Sequence, residues 1–269
     1  MTGVPYAEVI GDPVEHSKSP QIHKFWLEKL GAKGDYRATR VTKEGLLAYL
    51  EARFIDPDWR GCNVTMPHKQ HLYSLIGDST GGAIEAKVYN CVTPKGGRLT
   101  GANTDSEGFI EPLLSMRLKA GLAVVIGAGG VARTAASLLA RQGFEIEVHA
   151  RDPLKAVAML DELGIEGKTG RIDDPIPPAA LLVNASPLGM TGFPDFPWNL
   201  DHLPGDAIVY DMVYEPVVTG LIAKARVRGL RTIDGLGMLI GQAAGAFHIF
   251  FGYKAPREYD AELYRLLIA

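Results

Sequence analysis

Two kinds of chemistry are written into the polar and glycine-rich segments of this chain. The turn Gly127-Ala128-Gly129-Gly130-Val131-Ala132 directly follows the apolar run Leu122 to Ile126, where a buried strand would give way to a helix. The first glycine permits a tight turn, the second lets backbone N–H groups approach a pyrophosphate, and a small third residue lets the helix pack close to the strand. Arg133 to Ala140 contains good helix formers and no proline, so the helix start can present orphan N–H groups and a partial positive charge to phosphates. The same turn also occurs in βα units that bind no cofactor.

The second kind lies mostly upstream, in segments that acid–base chemistry and polar-ligand binding would require. His16-Ser17-Lys18-Ser19-Pro20 is a rigid, hydroxyl-rich loop. Asn63-Val64-Thr65-Met66-Pro67-His68-Lys69 puts an amide, a hydroxyl and an ammonium near one turn, and Asn103-Thr104-Asp105 adds a carboxylate. Each segment also has an ordinary reading. Ser17 or Ser19 would cap a helix beginning near Pro20, Asn and Asp are common turn residues, and a lone lysine is usually a solvated charge.

The elements that position these groups follow from hydrophobic period. Ala7 to Gly11 reads as a strand, Gln21 to about Leu30 as a helix, Tyr36 to Val41 as a strand, and Glu44 to Ala52 as a helix with Leu46, Leu47 and Leu50 at helical spacing. Pro67 places Met66 to Lys69 in a loop near a helix start. Residues 87–105 alternate short strand-like runs around the turn Lys95-Gly96-Gly97. From Leu122 the alternation becomes regular, with strands at Glu145 to His149, Leu181 to Asn184, Ala207 to Asp211 and Arg231 to Ile233. Such a succession implies a parallel sheet with right-handed crossovers. The end of the chain, from Gly237 to Ile268, reads as helices interrupted near Pro256.

Composition narrows the class. At 269 residues, 46% hydrophobic and 22% charged, the chain fits a folded protein of one large or two medium domains. A net charge of −3 without a long Lys/Arg cluster argues against a nucleic-acid partner. No apolar run is long enough for a membrane span, and Met1 to Pro5 lacks the character of a secretory signal, so a cytoplasmic location is expected. Cys62 and Cys91 stand outside any metal-ligand spacing and are expected to be free thiols.

Taken together, the motifs resemble those of the shikimate dehydrogenase family. Gly11 to His23 is similar to that family's opening signature, Asn63 to Lys69 to its Asn-Val-Thr-x-Pro-x-Lys, and Gly101 to Gly108 to its Asn-Thr-Asp-x-x-Gly segment. The likeness continues through Gly127 to Ala132, Asn184 to Met190, Asp211 to Pro216 and Gly235 to Gln242, in the family's order and over nearly the whole chain. The resemblance implies reversible NADP-linked reduction of 3-dehydroshikimate to shikimate, a step of aromatic amino-acid biosynthesis. It implies an α/β fold, with an N-terminal α/β substrate domain and a Rossmann-type, doubly wound dinucleotide-binding domain. The expected substrate domain is residues 1–104 completed by 238–269, and the expected nucleotide domain is 105–237.

By motif position, the resemblance makes Lys69 and Asp105 the catalytic pair. Hydride arriving at a ketone carbon builds negative charge on its oxygen, which an ammonium can stabilise and protonate, while a nearby aspartate holds the lysine. Ser17 and Ser19, with Tyr214, would hold the substrate carboxylate; Asn63, Thr65, Asn90, Asp105 and Gln242 would bond the ring hydroxyls. Gly127, Ala128, Gly129, Gly130, Val131, Arg151, Lys155, Met212 and Gly235 would bind NADP, and no metal is implied. The expected state is a monomer or homodimer with a small-molecule substrate and no nucleic-acid or membrane partner.

The chain departs from the family pattern twice. Lys87-Val88-Tyr89-Asn90-Cys91 stands where Gly-Ala-Val-Asn-Thr is usual, keeping the asparagine between bulkier neighbours. After the second strand of the nucleotide domain, Ala150-Arg151-Asp152-Pro153-Leu154-Lys155 replaces Asn-Arg-Thr followed by a further arginine. Arg151 and Lys155 suit a 2′-phosphate, whereas Asp152 would repel it or accept a ribose hydroxyl from NAD. The alternatives are an NAD-linked quinate/shikimate dehydrogenase of catabolism and a non-catalytic protein sensing a dinucleotide or metabolite.

Overall fold

The structure is a computed structural model that describes residues 3–76, 79–80, 85–116 and 118–269. The chain forms two compact units, Met1–Glu107 with Ile240–Ala269, and Gly108–Leu239.

In the first unit the strands are β1 (Tyr6–Gly11), β2 (Asp35–Arg40), β3 (Trp59–Val64), β4 (Ser79–Thr80), β5 (Cys91–Lys95) and β6 (Arg98–Ala102). They form one sheet in the order β2-β1-β3-β5-β6-β4. β1 lies parallel to both β2 and β3, whereas β5 is antiparallel to β3 and to β6, its hairpin turning at Gly96 and Gly97, both with positive φ. The helices are α1 (Ser19–Lys29), α2 (Leu46–Phe54), α3 (Lys69–Leu75) and the start of α4 (Asp105–Leu114). β1 is buried along its whole length because its two faces meet different apolar clusters: Tyr6 and Ile10 pack with Leu46, Trp59 and Leu72, and Ala7 and Val9 pack with Tyr36, Ala246 and Phe250.

The second unit holds β7 (Leu122–Ile126), β8 (Glu145–Ala150), β9 (Gly167–Arg171), β10 (Leu181–Asn184), β11 (Ile208–Asp211) and β12 (Arg231–Ile233) in the order β12-β11-β10-β7-β8-β9, every adjacent pair parallel. The helices α5 (Gly130–Arg141), α6 (Pro153–Leu163) and α7 (Gly220–Val227) follow β7, β8 and β11, and α8 (Gly235–Phe251) leads back into the first unit, which α9 (Asp260–Ile268) ends. Ala123 and Val125 enter one apolar cluster, Val124 and Ile126 the other, so both faces of the sheet are covered. That burial is why the central strands β7, β10 and β11 read as mostly apolar runs. Strand order reverses beside β7, making the fold a Rossmann-type, doubly wound α/β arrangement with its switch point at the end of β7.

Some expected elements move. α1 begins at Ser19, and neither serine acts as its cap: Lys18 occupies that position without a side-chain cap bond, while the Ser19 N–H donates to Ser17 Oγ at 3.3 Å. α2 begins at Leu46 instead of Glu44, and Leu47 is exposed although its spacing matched Leu46 and Leu50. β9 was not anticipated, because Gly-Lys-Thr-Gly-Arg carries no apolar alternation; it is an edge strand that, among the described residues, pairs only with β8.

Candidate active site

In the first unit, the turn after β3 delivers Lys69 as the opening residue of α3. The Asp12 N–H donates to Met66 O at 3.0 Å and the Thr65 N–H to Ile10 O at 2.9 Å, tying this turn to the end of β1. His68 Nε2 lies 2.7 Å from Val41 O, and because a carbonyl only accepts, that nitrogen carries the proton. The backbone around Lys69 is therefore held from several directions.

Lys69 Nζ donates to Asp105 Oδ2 at 2.5 Å, with the two side chains 12% and 5% exposed. The solvated-surface reading of this lysine does not describe it. Asp105 Oδ1 accepts from Asn90 Nδ2 at 2.9 Å, and the Asp105 N–H donates to Asn103 Oδ1 at 3.1 Å. Asn90 also donates to Thr104 Oγ1 at 2.9 Å and approaches Gln242 Oε1 at 3.3 Å, while its Oδ1 accepts the Thr104 N–H at 2.7 Å. Two amide hydrogens thus face three acceptors, and the longest contact, to Gln242, is the weakest. Behind Asn90, Asn63 Nδ2 donates to its carbonyl at 3.1 Å.

One hydrogen-bonded network therefore joins Lys69, Asp105, Asn90, Asn63 and Gln242. Thr65 is half-buried, and its methyl packs where a Cβ on Gly11 would fall. Ser17 and Ser19 form their own turn at the start of α1. Tyr89 is core: its ring fills the space a side chain on Gly101 would need, and its hydroxyl donates to Ile76 O at 2.8 Å. Sequence reasoning missed Tyr36, whose hydroxyl donates to Asn63 Oδ1 at 2.6 Å from 27 residues away; the only signal was a polar-tipped aromatic on a strand.

In the second unit the glycine loop stands at the switch point. Gly127 has φ 113°, its N–H donates to His149 O at 2.8 Å, and a Cβ there would lie 2.8 Å from Ala185 O. Gly129 precedes α5 in extended conformation, with no side-chain cap and open space where a Cβ would project. An open cradle of this kind at a helix N-terminus fits a dinucleotide pyrophosphate. Ala128, Gly130 and Val131 are half-buried around it.

Arg151 and Lys155 are both exposed, on either side of the start of α6. Asp152 caps that helix, Oδ1 accepting the Leu154 N–H at 3.1 Å, with Pro153 in the first turn. Its carboxylate thus has a structural task besides any effect on cofactor choice.

The ends of β10 and β11 are organised by a buried carboxyl. Asp211 accepts from Asn184 Nδ2 at 2.9 Å, the Val213 N–H at 3.1 Å and Thr219 Oγ1 at 2.5 Å. Burial nevertheless outweighs these bonds and pushes its pKa up to about 6. Met212, next along, donates its N–H to Asn184 O, and a Cβ on Gly235 would lie 2.4 Å from Met212 O, so α8 starts in close contact with the end of β11. Tyr214 is half-buried, and burial, helped by Glu215, raises its phenol above the usual value.

Among the described residues, no group of three or more His, Cys, Asp or Glu side chains is placed to hold a metal ion, and no helix is long and apolar enough to cross a membrane. Cys62 and Cys91 are free and buried.

Comparison with known proteins adds to this geometry. Residues 9–92 match the family model of the shikimate dehydrogenase substrate binding domain, and residues 235–262 match that of the shikimate 5′-dehydrogenase C-terminal domain. The chain is 49% identical over 268 residues to the shikimate dehydrogenase (NADP(+)) of Sphingopyxis alaskensis, covering 98% of this chain and 97% of that one. It is 39% identical to the corresponding protein of Methylocella silvestris, over 98% and 96%. Among solved structures, shikimate 5-dehydrogenase from Thermus thermophilus in complex with NADP(H) and shikimate superposes with a TM-score of 0.86 at 33% identity, covering 98% and 99%. Quinate dehydrogenase from Corynebacterium glutamicum in complex with NAD gives 0.86 at 30%, over 98% and 99%.

Proposed function

The chain belongs to the shikimate dehydrogenase family, and we propose from its site that Lys69 and Asp105 carry out the proton chemistry of the reaction. The protein is an NADP-dependent shikimate dehydrogenase, reversibly reducing 3-dehydroshikimate to shikimate on the route to chorismate and the aromatic amino acids. When bound, NADP(H) supplies the hydride. The Lys69 ammonium stabilises the oxygen on which negative charge develops and gives it a proton; in the reverse direction Lys69 takes that proton back. Asp105 fixes the ammonium through Oδ2, while Asn90 holds Oδ1.

Around this pair, Asn63, Thr65, Asn90, Asp105 and Gln242 serve the ring hydroxyls, and Ser17, Ser19 and Tyr214 the carboxylate. We assign the substrate domain to residues 1–104 with 238–269 and the nucleotide domain to 105–237, from which Asp105 and Tyr214 also serve the substrate, with Gly127, Ala128, Gly129, Gly130 and Val131 at the pyrophosphate, Arg151 and Lys155 at the 2′-phosphate, and Met212 and Gly235 beside the cofactor. The open cradle at Gly129 and the exposed cations support this reading. We further propose a cytoplasmic monomer or homodimer acting on small molecules alone, in keeping with its net charge of −3.

The observation that carries the mechanism is the 2.5 Å contact between Lys69 and Asp105, with both groups nearly shielded from water. Lys69→Ala is expected to lower kcat by about two to four orders of magnitude with a much smaller change in KM for shikimate. A folded variant, verified by its melting curve, with near-normal kcat would remove Lys69 from the mechanism.

A further inference from the structure

Tyr36 lies on β2 with no exposed surface, outside every motif that marks the active site. Its ring stacks on that of His23, with centroids 3.9 Å apart and planes 5° from parallel. Burial keeps the His23 imidazole neutral, pushing its pKa down to about 3, and neither of its ring nitrogens has a hydrogen-bond partner among the described residues. His23 therefore serves as a flat wall that fixes the plane of the Tyr36 ring. Burial also holds the Tyr36 phenol well above its ordinary value, so the hydroxyl keeps its proton and donates it to Asn63 Oδ1 at 2.6 Å.

On the other side of the Asn63 amide stands the Asn90 carbonyl, which already accepts the Val64 N–H at 2.8 Å and accepts Asn63 Nδ2 at 3.1 Å. A carbonyl has nothing to donate, and a flipped amide would set two oxygens against each other. The amide is thus defined from both ends: Oδ1 toward Tyr36 and Nδ2 toward Asn90. One Asn63 N–H remains uncommitted among the described residues.

We propose that Tyr36 is a positioning residue for substrate recognition: its hydrogen bond holds the Asn63 amide so that it offers an N–H, and not a carbonyl oxygen, to a substrate hydroxyl. This inference rests on Asn63 being a substrate-binding group. Tyr36→Phe retains the ring against His23 and removes only the donor. Without that donor, a buried Oδ1 loses its partner and the amide loses one of its two restraints.

The test is a double-mutant cycle on KM for shikimate at saturating NADP, with Tyr36→Phe, Asn63→Ala and the pair, each checked by its melting curve. Since Asn63 binds ground state and transition state alike, each single change is expected to raise KM about tenfold, with kcat within about twofold and KM for NADP unchanged. In the double variant KM should be no higher than in Asn63→Ala alone, because Tyr36 then has nothing to act through. Titration of shikimate into the folded variants gives the same comparison as dissociation constants. If the two effects multiply, or if Asn63→Ala raises KM and Tyr36→Phe does not, the role of Tyr36 is overturned while that of Asn63 stands. If Asn63→Ala leaves KM unchanged, the assignment of Asn63 fails and the inference with it.

Discussion

Asp105 divides its two carboxylate oxygens between a cation and an amide, and this division lets a single side chain hold Lys69 in place. Asp105→Asn preserves the shape but removes the charge facing the ammonium. It is expected to cut kcat about a hundredfold while leaving the fold intact, measurable by steady-state kinetics alongside melting curves. Asp211 makes a different prediction. Its folded pKa of about 6 lies above the ordinary 3.8, so between these values the folded state holds a proton that the unfolded state has released. Its contribution to stability is therefore present at low pH and lost as pH rises through that window, by about 3 kcal/mol in total at the usual 1.36 kcal/mol per unit. In Asp211→Asn, which cannot ionise, the loss of stability between pH 4 and pH 7 should shrink by about that amount in denaturant titrations. An unchanged pH profile would mean that Asp211 stays ionised throughout.

At the scale of elements, the glycines before α5 have separable tasks. Gly127 combines φ 113° with a 2.8 Å approach to Ala185 O, so Gly127→Ala strains the backbone and is expected to cost about 1–3 kcal/mol of stability. Gly129 has an ordinary extended backbone and open space beside it, so Gly129→Ala should melt like the parent. The new methyl would instead occupy the phosphate approach and weaken NADP binding about tenfold, as read by a fluorescence titration. At α6, Asp152→Thr retains a capping oxygen and removes a negative charge near Arg151 and Lys155. It should raise the NADP/NAD ratio of kcat/KM a few-fold without loss of stability, whereas Asp152→Ala should cost about 1 kcal/mol through the lost cap. A ratio that does not rise in Asp152→Thr would show that the carboxylate does not act on the 2′-phosphate.

For the whole molecule, the chain leaves its first compact unit after Glu107 and returns to it at Ile240. The return matters because Gln242, on α8, comes within 3.3 Å of Asn90 only when the last segment of the chain rejoins the first sheet. Steady-state kinetics with shikimate and quinate, each against NADP and NAD, measure what this assembly selects. The highest kcat/KM is expected for shikimate with NADP; a preference for quinate with NAD would move the protein to the catabolic branch of its family.

Local signals made much of this legible in advance. The strands Leu122 to Ile126 and Leu181 to Asn184 have the bounds read from their apolar runs, because a parallel sheet covered on both faces demands continuous hydrophobicity at its centre. The turn at Gly127 was legible because positive φ and close approach to Ala185 select glycine locally. What tertiary structure decided are the pairings between residues distant in the chain: Lys69 with Asp105, Tyr36 with Asn63, and β9 with β8, whose sequence has no strand pattern of its own. It also decided which serine, aspartate or leucine of a plausible set performs a local task. Asp152 caps its helix and the serines beside α1 do not; Leu50 is buried where Leu47 is exposed. Residue type and spacing specify what a side chain is able to do, but its partners and its access to water depend on packing by segments tens of residues away, which no local pattern encodes.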